Sequence, residues 1–86
     1  MSDSFDFKNA NHRRFQASIE IDIKGNLLFE EESVTHKELK EKLKNHDWKD
    51  NKTVIIIAET GTLFENVVKV MRICDKFKIR VILASE

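Results

Sequence analysis

The sequence predicts an α+β domain of order ββαβαβ, a mixed sheet with two helices packed on one face. Three observations carry that expectation. Ile19, Ile21 and Ile23 alternate with Ser18, Glu20 and Asp22, the period-2 signature of a half-buried strand. Val54-Ile55-Ile56-Ile57-Ala58 is a continuous β-branched run, the pattern of a central strand covered on both faces. Two later stretches place apolar residues at three-and-four spacing behind a Thr-x-x-Glu start, which is the helical period behind a capping box.

In chain order, residues 1–16 carry few apolar points, Phe5 and Phe7 among them, and read as a tail or linker; the folded domain is expected over residues 17–86. Lys24-Gly25-Asn26 supplies turn chemistry between the alternating strand and Leu27-Leu28-Phe29, so these form a hairpin. A short extra strand is possible near Val34. Thr35 with Glu38 opens a helix to about His46, its buried stripe marked by Leu39 and Leu43. Thr62 with Glu65 opens a second, to about Phe77, with Phe64, Val67, Val68, Met71 and Cys74 as its apolar face. Residues 79–84 close as a strand, parallel to 54–58 through a right-handed crossover.

A chain of 86 residues with 41% hydrophobic content has one core, and the size scaling makes so small a domain lean on a partner. Fifteen basic and fifteen acidic residues are interleaved and cancel, which argues against nucleic acid or an anionic membrane as partner. The longest apolar run, 54–58, is far short of the roughly 20 residues that cross a bilayer. One cysteine, Cys74, excludes an internal disulfide, and its place on the apolar stripe makes it core filler rather than a nucleophile.

Several features invite a chemical reading and lose it on inspection. His36 and His46 share a helix face, but ten residues of helix separate their rings by roughly 15 Å, too far for one metal. Glu59-Thr60-Gly61-Thr62 sits at a strand-to-helix turn yet lacks the lysine and glycines of a phosphate loop, so it reads as a helix cap. No nucleophile with a base and no paired carboxylates can be drawn from the chain; an enzyme, a cofactor and a metal site are not expected.

Residues 59–85 are similar to the ExbD/TolR pattern of an acidic residue (Glu59), an aromatic (Phe64), a helix with Val67-Val68-x-Val70-Met71, and a final apolar strand. Upstream, residues 19–29 with their glycine turn and Val34-Thr35-His36-Lys37-Glu38-Leu39 resemble the family's hairpin and helix entry. The sequence departs from the pattern at Glu59, usually Asp, at Phe64, usually Tyr, at Lys78, commonly Gly, and at Ser85, commonly Thr. The resemblance implies the periplasmic domain of a single-pass inner-membrane protein. Its membrane helix, which carries the family's proton-responsive aspartate, maps to no residue of this sequence. It further implies work with an ExbB/TolQ-type channel and a TonB/TolA-type transducer, and a homodimer.

Without a catalytic constellation, the expected working surface is a sheet edge that accepts an extended peptide or a second copy, either in the first strand (Ile19, Ile21, Ile23) or in the last (Val81, Leu83). The alternative is a cytoplasmic STAS-like regulatory module, switched by phosphorylation of a helix-start residue such as Thr62.

Overall fold

The computed structural model describes residues 15–49 and 51–85. The expected tail of residues 1–16 therefore lies almost wholly outside the described residues. Gln16 belongs to the folded unit: its N–H donates to Thr53 O at 2.7 Å, and its side-chain Oε1 accepts from Lys49 N at 2.6 Å.

The elements are β1 (Ala17–Ile21), β2 (Leu27–Phe29), β3 (Glu32–Val34), α1 (His36–Asn45), β4 (Thr53–Ala58), α2 (Phe64–Lys76) and β5 (Arg80–Ser85). The α+β class stands, and the extra strand is present as β3. The five strands form one mixed sheet of order β3-β2-β1-β4-β5. β1 pairs antiparallel with β2 and parallel with β4, and β4 pairs parallel with β5. In register, Ala17, Ile19 and Ile21 stand beside Val54, Ile56 and Ala58, which stand beside Val81, Leu83 and Ser85. Because side chains alternate, these residues share one sheet face. The buried side chains of that face form a single core with Leu39 and Leu43 of α1 and Val67, Val70, Ile73 and Cys74 of α2, so both helices cover the same side.

Local chemistry fixes each junction. Asp22 closes the β1–β2 turn: Oδ1 accepts from Lys24 N at 2.9 Å and Asn26 N at 2.8 Å, and Oδ2 accepts from the Asn26 side chain at 3.0 Å. These hydrogen bonds, those from Asn26 first, hold the Asp22 carboxyl below its ordinary pKa. Glu30 and Glu31 join β2 to β3 with φ of 50° and 69°, the two positive values that a type I′ hairpin needs. The left-handed Glu30 also lends its carboxylate to the ladder, accepting from Ser18 N at 2.8 Å.

The Thr35–Glu38 capping box forms as expected: Glu38 N donates to Thr35 Oγ1 at 3.0 Å, and Thr35 N donates to Glu38 Oε1 at 2.8 Å. At the other end of α1, the His46 ring lies between Phe29 (5.8 Å) and Trp48 (4.5 Å), while Trp48 Nε1 donates to Leu43 O at 2.9 Å.

The second expected capping box does not form. Leu63 is the N-cap of α2 and makes no side-chain cap bond. Thr62 instead turns its hydroxyl back to Glu59 O at 2.5 Å. The chain bends at Gly61, φ +95°, so the turn is complete one residue after Thr62 and the threonine lies outside the helix.

α2 ends in a Schellman motif, with Ile79 N donating to Cys74 O at 2.9 Å and Lys78 N to Asp75 O at 3.0 Å. Lys78 occupies its left-handed position at φ +61°.

Candidate functional site: an unpaired sheet edge and its groove

The two edges of the sheet differ in kind. β3 has three residues, exposes Glu32 and Ser33, and is bridged to α1 by Lys42 Nζ to Glu32 Oε1 at 3.0 Å. Short length and charge blunt such an edge. β5 has six residues, Arg-Val-Ile-Leu-Ala-Ser, with one charge and no proline.

Its register decides which groups are free. Arg80 N donates to Lys52 O at 2.8 Å, so the Arg80 main chain faces β4. Alternation then turns the main-chain groups of Val81, Leu83 and Ser85 outward. The same three residues point their side chains toward α2. Among the described residues these donors and acceptors meet no further strand, and they lie along one line with the apolar side chains.

Beside that line runs a groove between β5 and α2. Phe64, Val68, Met71, Arg72 and Asp75 line it with Ile79 and Val81, and Phe64 and Val67 continue it past Ala58 and Leu83. Phe64 is 72% exposed and Leu83 51%. A phenylalanine left this open at a helix start contributes little of the roughly 1.5–3 kcal/mol that burial would provide. It is the sort of apolar surface that marks an interaction site.

The sequence-predicted residues separate accordingly. Ile19 and Ile21 are buried, at 0% and 2% exposure, in a strand paired on both sides; β1 is an inner strand and offers no edge. The expectation failed because alternation marks a half-buried strand without revealing how many neighbours it has, and β4 returns through α1 to pair beside β1. Ile23 lies beyond β1, exposed, against Gly61. Val81 and Leu83 do lie on an edge strand. Val67 and Val70 are core, while Phe64, Val68 and Met71 border the groove, which corrects the expected helix face: its centre is Val67, Val70, Ile73 and Cys74 rather than Phe64. Cys74 is fully buried, and burial pushes its thiol up to about 11. Glu59 acts in the turn, its Oε1 accepting from Ile23 N.

Leu63, Arg72 and Asp75 are exposed residues that sequence reasoning missed; Ile79 meets the groove from within the core. A helical wheel of α2 would have found Arg72 and Asp75 beside Phe64 and Val68. Among the described residues, no group of three or more His, Cys, Asp or Glu side chains could hold a metal ion, and no helix is long and apolar enough to cross a membrane.

A mixed sheet with both helices on one face and an apolar strand at one edge defines, among the described residues, a small α+β domain that presents that edge beside a groove. The chain belongs to the biopolymer transport protein ExbD/TolR family, which matches it over residues 7–86. Comparison with curated proteins and with solved structures gives no match.

Proposed function

We propose that this chain is the periplasmic, partner-binding domain of an energy-transducing complex of the inner membrane, driven by the proton motive force. In this reading it has no catalytic role. An ExbB/TolQ-type channel contacts it through a membrane helix that precedes the domain, and a TonB/TolA-type transducer contacts the folded part. The observation that carries the reading is the β5 edge with its exposed Phe64 and Leu83, in a member of a biopolymer transport family. Strand addition needs main-chain groups for affinity and alternate side chains for selection, which suits a chain without a catalytic constellation.

The test is affinity purification of the tagged native gene product from detergent-solubilised membranes, followed by identification of its companions. Recovery of a proton-channel subunit and a transducer supports the reading. Recovery from the cytoplasmic fraction with neither would overturn it.

A further inference from the structure

We propose that the helix-free face of the sheet is a docking surface for the chain's own N-terminal segment, residues 1–14, with Phe5 and Phe7 seated over Leu28, Ile57 and Ile82. The contact is separate from the β5 edge, whose docking role stands or falls independently.

Side-chain alternation gives the sheet two faces. Both helices pack over the face of Ile19, Val54 and Ile56. The opposite face presents two cross-strand rows, Ser18–Ile55–Ile82 and Leu28–Glu20–Ile57. Three observations point to an occupant there.

The first is burial without a helix. Ile55 is 3% exposed and Thr53 6%, yet neither belongs to the core that the helices share. Leu28, Ile57 and Ile82 around them are half-buried. A sheet face given over to water alternates to polar residues, whereas this one keeps four large apolar side chains. A groove runs across it between Leu28, Ile57 and the carboxylates of Glu20 and Glu59.

The second is where the segment joins the sheet and how far it reaches. Gln16 is held at the Thr53 end of this face: its N–H donates to Thr53 O at 2.7 Å, and its side-chain Nε2 donates to Lys49 O at 3.3 Å. Phe7 and Phe5 precede Phe15 by eight and ten residues, about 26 and 33 Å of extended chain. The six residues of β4 span about 20 Å. The segment is therefore long enough to turn beside Thr53 and run back over Ile55 to Ile57. The match to the family also takes in residues 7–14.

The third is pattern and charge. Phe5-Asp6-Phe7 sets two phenyl rings on one side of an extended chain. Residues 1–14 hold three Lys or Arg and two Asp, and Lys8 follows Phe7 directly. Glu20 stands in the middle of the face and, among the described residues, forms no ion pair. The segment thus brings apolar rings to an apolar row and a cation to a carboxylate.

The experiment uses the full chain. A nitroxide on Ser4→Cys is expected to abolish the methyl signals of Leu28, Ile57 and Ile82 and to spare those of Val68 and Met71 in the groove between β5 and α2; Cys74 is buried and takes no label. Phe5→Ala with Phe7→Ala is expected to restore the lost signals and to lower the folding equilibrium constant about ten-fold in denaturant titration, with Ser2→Ala as control. Mixing spin-labelled chain with isotope-labelled chain that carries no nitroxide is expected to cause no loss, since each chain covers its own face.

Equal losses on both sides of the molecule, or a double alanine variant as stable as the parent, would overturn the proposal. Selective loss in the mixed sample would overturn it too, by assigning the face to the segment of another copy.

Discussion

The carboxylate of Glu59 reaches from the end of β4 to the backbone of Ile23, its Oε1 accepting the Ile23 N–H at 2.8 Å, while the Glu59 N–H donates to Ile21 O at 2.9 Å. One residue thus ties the end of β1 and the turn after it to the start of the α2 loop. Glu59 is a clamp between two loops at the end of the sheet where Ile23, Leu63 and Phe64 are exposed. Glu59→Ala is expected to cost about 1 kcal/mol in chemical denaturation. Glu59→Gln keeps an acceptor at the same reach and should cost less. Glu59→Asp, shorter by one methylene, should behave like the alanine variant; full stability with Asp would show that the bond is dispensable.

Lys78 holds the left-handed position of the Schellman motif at φ +61°, where a side chain is strained and glycine is not. Among the described residues, no hydrogen bond or ion pair of the lysine side chain offsets that strain. Lys78→Gly is expected to stabilise the domain by about 1 kcal/mol, less the extra entropy of a glycine in the unfolded chain. Since 1 kcal/mol corresponds to about 4–8 °C in a domain of this size, the net gain is a smaller rise in Tm by calorimetry. A fall in Tm would mean that the lysine makes an interaction worth more than the strain.

Much of this architecture is legible because local chemistry and period agree. The alternation at Ile19 and Ile21, the β-branched run of β4 and the Thr35–Glu38 box each specify one conformation, and each is found. Strand order was not legible. β1 acquires two neighbours through a parallel pairing with β4 that spans more than thirty residues, and a strand's own sequence does not record who sits beside it. The groove was half legible: Val81 and Leu83 could be placed on the last strand, but the exposure of Phe64 depends on where α2 begins. That point is set by the bend at Gly61, since the helix axis starts one residue later than the Thr-x-x-Glu spacing implies.

The two Thr-x-x-Glu sites make a controlled comparison. Thr35 caps α1 with a reciprocal pair of bonds, whereas the Thr62 hydroxyl donates to Glu59 O and caps nothing. Thr35→Ala is expected to cost about 1 kcal/mol, within the usual range for a lost N-cap. Thr62→Ala should cost less than half of that, and Thr62→Glu should leave partner binding unchanged. Equal losses at the two sites would show that the sequence spacing, and not the observed hydrogen bonding, describes α2.

Cys74 and Asp22 set opposite ends of the pH dependence. The buried thiol is pushed up to about 11 from an ordinary value of 9.0, so between these two values the unfolded chain ionises while the folded chain keeps its proton. The unfolded state then binds fewer protons, and stability falls as pH rises through that window, by about 2–3 kcal/mol at its upper end. Cys74→Ala leaves a cavity and should be less stable at neutral pH, yet its stability should decline less from pH 9 to 11 than that of the parent. At the acid end, Asp22 is held below 3.8 by its turn hydrogen bonds. The stability it contributes is complete above that value and is lost as pH falls through the lowered one. Asp22→Ala should accordingly be the less stable form at neutral pH while losing less on further acidification. Denaturant titrations of the three proteins across both windows would check the two signs together, and a Cys74→Ala profile parallel to the parent above pH 9 would remove the thiol from the alkaline loss.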